Sequence, residues 1–108
     1  MILGHSDFSS INVDNLCNEI PYVLHRLFPA IAKVKSVKHK MYRHSLELSI
    51  VCKSTDATCL HNVGDAIIGD CINNGMLPAD SKVMFNNVSC SKFVQRITFT
   101  VEMGGSLC

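Results

Sequence analysis

Apolar residues recur at spacings of three and four from Val13 to Ile31: Val13, Leu16, Cys17, Ile20, Val23, Leu24, Leu27, Phe28 and Ile31. Such spacing draws one stripe along a helix. Asn12 or Ser10 suits its N-cap, and Asp14 and Glu19 suit the positive end of the helix dipole. Pro21 falls inside the pattern and predicts either a kink or the first turn of a second segment near Ile20, while Pro29 predicts the end. From residue 41 to 53 the period drops to two. Tyr42, His44, Leu46, Leu48, Ile50 and Cys52 alternate with Arg43, Ser45, Glu47, Ser49 and Lys53, the pattern of a half-buried antiparallel strand. Upstream, Val34 and Val37 among lysines predict a short strand that hairpins into it.

The stretch STDATCLHNVGDAIIGDCINNG predicts a second helix, capped by Ser54, Thr55 or Asp56 and stopped at Gly75. Its stripe is Leu60, Val63, Ile67, Ile68, Cys71 and Ile72. Gly64 and Gly69 each disfavour helix by about 1 kcal/mol relative to Ala, which predicts close packing of this helix on a neighbour. SKVMFNNV then gives a strand through Val83 and Phe85 with a turn at Asn86-Asn87. In KFVQRITFTVEM, Phe93, Ile97, Phe99, Val101 and Met103 point inward against Val94, Arg96, Thr98, Thr100 and Glu102. The expected fold is α+β: a mainly antiparallel sheet with two helices packed on one face, in the order α-β-β-α-β-β. Residues 1–108 form a single domain with its core in 12–103, and 1–10 and 104–108 are expected to be flexible.

Composition agrees with a folded chain: 47% of residues are hydrophobic and 18% charged. No apolar run approaches the roughly 18 residues of a membrane span, and MILGHSDFSS lacks the basic and apolar regions of a secretory signal. A soluble protein made in the cytoplasm, with no membrane contact, is expected. The cysteines at 17, 52, 59, 71, 90 and 108 include no CxxC pair, and several fall at positions the periodicity buries. Six free thiols are expected over a disulfide framework.

Charge changes the picture more. The net charge is +1, yet KVKSVKHKMYRH (33–44) holds Lys33, Lys35, Lys38, Lys40 and Arg43, half of the chain's 10 Lys and Arg residues, and no acid. Residues 54–81 hold Asp56, Asp65, Asp70 and Asp80 and no base. The basic hairpin is thus a candidate interaction surface, and Asp56, Asp65 and Asp70 are its candidate acidic counter-surface on a neighbouring copy.

Catalytic chemistry is sparse. The chain has no Walker loop, GxGxxG, HExxH, GxSxG or EF-hand spacing. Cys59 and His61 form the nearest local thiol–imidazole pair, at a predicted helix start that lowers a thiol pKa. His25 and His44 fall in periodic elements and are expected to be partly buried and hydrogen-bonded. The expectation is a protein that is not an enzyme, with no cofactor and no metal site. The five bases beside Tyr42 suit phosphate contacts and base stacking, though RNP, GXXG and helix-turn-helix patterns are missing.

The order of elements, with HSLELSIVCKS leading into STDATCLHNVGDAIIGDCI and the chain closing on RITFTVEM, resembles the small tail-terminator and tail-completion (neck) proteins of long-tailed bacteriophages. The resemblance spans residues 12 to 103 and rests on element order and alternation. It implies a structural protein of the virion: a homo-oligomeric ring that ends the tail tube and joins it to the head side. Tail-tube and neck proteins would be its partners, and DNA would pass through its lumen near the basic hairpin. The alternative reading is a small basic-patch nucleic-acid-binding protein, or an inhibitor or adaptor.

Overall fold

The computed structural model describes residues 12–55 and 60–103. Expectations placed on Ser10, Asp56, Cys59 and both termini lie outside these residues, as do the side chains of Phe85 and Met103. The elements are α1 (Val13–Leu27), β1 (Ile31–Met41), β2 (Ser45–Ser54), α2 (Val63–Asn73), β3 (Ser81–Ser91) and β4 (Val94–Met103). The four strands are antiparallel throughout, in the order β1-β2-β4-β3. This is the expected α+β arrangement.

Helix α1 begins where the Asn12 side chain accepts a hydrogen bond from the Asn15 N–H at 3.0 Å. It runs unbroken through Pro21. The apolar stripe explains why: Leu16, Ile20, Val23 and Leu24, on both sides of the proline, are buried in one core. Packing of that face outweighs the hydrogen bond the proline removes.

Helix α2 is shorter than the sequence implies. It starts at Val63 after Asn62, which adopts a left-handed φ of 55° and makes no side-chain cap. Ser54 instead ends β2, and the Thr55 N–H donates to the Ala30 carbonyl at 2.7 Å. The helix ends as expected at Gly75, whose φ is 76°. Its N–H bonds the Ile72 carbonyl at 3.0 Å and the Met76 N–H bonds that of Cys71 at 2.8 Å, a Schellman cap.

Both central strands are amphipathic. Leu46, Leu48, Ile50 and Cys52 of β2 and Ile97, Phe99 and Val101 of β4 are buried with the apolar faces of α1 and α2 in a single core. Each large side chain so buried contributes about 1.5–3 kcal/mol. Both helices therefore cover one face, and among the described residues no element covers the other, the open face.

The edge strands depart from the sequence reading. Strand β1 occupies most of KVKSVKHKMYRH and pairs along its whole length with β2, so residues 42–44 are the turn and not the start of the second strand. His44 is accordingly exposed, and so is His25, whose Nδ1 lies 3.2 Å from the Ile31 carbonyl. Val34 and Val37, three apart, both pair with inward positions (Cys52 and Ile50) because a bulge between Val34 and Ser36 absorbs Lys35. At the other edge, β3 runs straight through Asn86-Asn87, which pair with Phe99 and Thr98. The turn falls at Lys92-Phe93 instead, leaving Phe93 52% exposed and not inward. Asparagine's preference for turns yields here to register, because Val88 must meet Ile97 to complete the core.

Cys17, Cys52 and Cys71 are free thiols, but Cys90 is disulfide-bonded, which corrects the expectation of six free cysteines.

Candidate functional site

The register of the sheet decides which charges share a surface. On the open face, Lys33 lies opposite Lys53, Lys38 opposite Ser49 and Lys40 opposite Glu47. Arg96 lies between Val51 and Ser89, and Lys82 lies opposite Glu102. Bases thus outnumber acids on this face: Lys33, Lys38, Lys40, Lys53, Lys82 and Arg96 against Glu47 and Glu102. Lys35 sits in the bulge and Arg43 in the hairpin turn. All five bases of the predicted strip are exposed. The structure gathers them along one edge and adds Lys53 and Arg96, which came from elsewhere in the sequence. Only cross-strand pairing reveals those neighbours.

The helix layer carries the opposite sign. Asp14 and Glu19 on α1 and Asp65 on α2 are exposed. Asp70 is committed within the chain: it accepts from Arg26 Nη2 at 2.6 Å and from the Asn74 side chain at 3.0 Å. That bond and charge hold Arg26 above its ordinary pKa. Asp70 therefore offers less to a neighbour than the sequence implied, and Asp65 remains. A charge split along the sequence has become a split between two faces.

Bulges and lysines at β1 have a further physical meaning. An unpaired edge strand is a template for aggregation, and inserted residues with lysine side chains are how folds blunt it. Lys40 lies 5.5 Å from the centre of the Tyr42 ring, and the Tyr42 hydroxyl lies 3.5 Å from Glu47 Oε1. Tyr42 is held among charges at the far end of this edge.

Nucleophile chemistry finds little support in the described residues. Burial pushes the Cys52 and Cys71 thiols up to about 11. Cys17 lies 3.6 Å from His39 Nδ1, a contact between α1 and β1 that no local spacing announces. Yet burial and then the charge of Asp14 raise this thiol as well, opposing the thiolate a nucleophile needs. Among the described residues no three His, Cys, Asp or Glu gather as metal ligands, and no helix is long and apolar enough to cross a membrane.

No family model, curated protein or solved structure matches the chain significantly.

Proposed function

We propose that the protein is a structural assembly subunit whose copies associate head to tail into a ring. In its specific form this is the role of a phage tail-terminator or neck protein, with tail-tube and neck proteins as partners and the virion as its place of action. The specific form rests on the resemblance in element order. The mode of contact rests on one observation: the open sheet face is basic and the helix layer behind it is acidic. Opposite charges on opposite faces of one subunit suit heterologous contact, the kind that closes rings. Complementary charge fixes register and speeds encounter.

The test is mass in solution by light scattering, with electron microscopy of the particles. The wild-type chain is expected to form a ring, alone or on tube ends. Lys38→Glu and Asp65→Lys are each expected to weaken assembly, and mixing the two variants to restore it. In the mixture the unaltered sheet face of one variant meets the unaltered helix layer of the other. A chain that stays monomeric at high concentration and does not bind tube ends overturns the reading.

A further inference from the structure

At one end of the sheet several features each cost stability. Lys92 holds a left-handed φ of 57°, a conformation that costs a non-glycine residue about 1 kcal/mol or more. Phe93, beside it in the same two-residue turn, leaves 52% of its surface in water. Lys33 and Lys53 face each other across β1 and β2, a like-charge pair that opposes the pairing of those strands. Neither joins an ion pair among the described residues. All of this converges, because Lys53 pairs with Val94, the residue after Phe93. A groove of about 460 Å³ lies here, lined by Lys53, Ser54, Thr55, Lys92, Phe93 and Val94.

The turn is also held firmly. The Ser54 N–H donates to the Phe93 carbonyl at 2.8 Å, and the Ser54 hydroxyl donates to it at 3.4 Å. Gln95, fully buried, donates from Nε2 to Ser54 Oγ at 3.3 Å and accepts from the Leu60 N–H at 3.2 Å. An exposed aromatic ring on a braced turn is pre-organised for contact. One row further in stands Arg96, also exposed. The opposite end of the face differs: Lys40 has Glu47 across from it and Lys82 has Glu102.

We propose that this end of the sheet binds single-stranded nucleic acid, with a base stacked on Phe93 and phosphates on Lys33, Lys53, Lys92 and Arg96. Cations with no acid across from them among the described residues call for a polyanion. The exposed ring calls for a flat π-surface, which a single strand offers and a duplex hides in its stack. With a net charge of only +1, attraction comes from this patch and not from the molecule as a whole. The proposal stands independently of ring assembly.

Fluorescence anisotropy with labelled oligothymidylate, repeated across salt concentrations, tests it. Affinity should fall with salt, and Lys33→Ala with Lys53→Ala should flatten the slope by about 0.7 for each phosphate no longer neutralised. Phe93→Ala should weaken binding about tenfold and leave the slope unchanged. Lys40→Ala should change affinity far less. The chain has no tryptophan, so Phe93→Trp gives a single reporter whose emission should be quenched as a base stacks on it. Thermal melts confirm that each variant is folded, and a number of subunits per particle that stays the same on adding the oligonucleotide separates strand binding from assembly. No binding at low salt overturns the proposal. So does equal binding of duplex or of a sulfated polysaccharide, with no response to Phe93→Ala.

Discussion

A Cβ placed on Gly64 would lie 2.9 Å from Cγ of Phe99 and 3.1 Å from its Cβ. Gly64 opens α2 and Phe99 is wholly buried on the central strand β4, so the helix rests on the sheet at a distance only glycine permits. The obstructing atoms are the root of the ring and cannot swing aside. Gly64→Ala is therefore expected to destabilise by about 1–3 kcal/mol, outweighing alanine's better helix propensity. Gly69 has nothing within 4 Å of such a Cβ. Gly69→Ala is expected to stabilise by about 0.5–1 kcal/mol. Urea unfolding of the two variants should move in opposite directions.

The Lys92-Phe93 turn gives a second test. Glycine adopts a φ of 57° without the clash a lysine Cβ brings. Lys92→Gly should raise the melting temperature, by about 1 kcal/mol in free energy. Asparagine, which tolerates the left-handed region better than lysine, should give a smaller gain. A Lys92→Gly variant less stable than wild type would mean that the lysine makes a contact in folding that outweighs the strain.

Buried thiols impose a pH dependence. Burial moves Cys52 and Cys71 from 9.0 up to about 11, with Asp70 and Glu19 adding to the rise at Cys71. Below about pH 9 both states keep these protons and stability is unaffected. Between 9.0 and about 11 the unfolded chain releases protons that the folded chain holds, so stability falls as pH rises. Urea midpoints should decline across that window, and Cys71→Ala should shallow the decline whatever it does to the absolute stability. At neutral pH both thiols should resist alkylation in the folded protein and react once it is unfolded.

What the sequence disclosed follows from range. The stripe of α1 from Val13 to Leu24 and the alternation of β2 from Leu46 and of β4 from Ile97 are local patterns imposed by one shared core, and they read correctly, whereas Leu27, Tyr42, His44 and Phe93, at the ends of these patterns, are exposed. Gly75 read correctly too, since its φ answers to the helix it ends. The turn at Lys92-Phe93 was hidden because neither residue is a turn former, while Asn86-Asn87 looked like one. Its position is set by Val88 meeting Ile97, a matter of register. For the same reason the basic strip was visible as exposed charge, but its extension to Lys53 and Arg96 was not. The bond between Arg26 and Asp70 spans 44 residues and removes an acid that composition alone had counted as available.

Lys33 and Lys53 allow folding and binding to be set against each other in one variant. As directly opposed like charges they weaken the β1–β2 pairing, and an opposite-charge pair in the same place strengthens it by about 0.2–1 kcal/mol relative to neutral residues. Lys53→Glu should therefore raise the urea midpoint slightly. If the two lysines serve only to keep an edge strand solvated, nothing else should change. If they hold phosphates, the more stable variant should bind oligothymidylate at least tenfold more weakly, because it loses a cation and places an acid beside the Phe93 groove. Lys33→Glu should behave alike, and the double reversal should lose both the gain in stability and the binding. A gain in stability with undiminished binding would leave the pair as a feature of the edge alone.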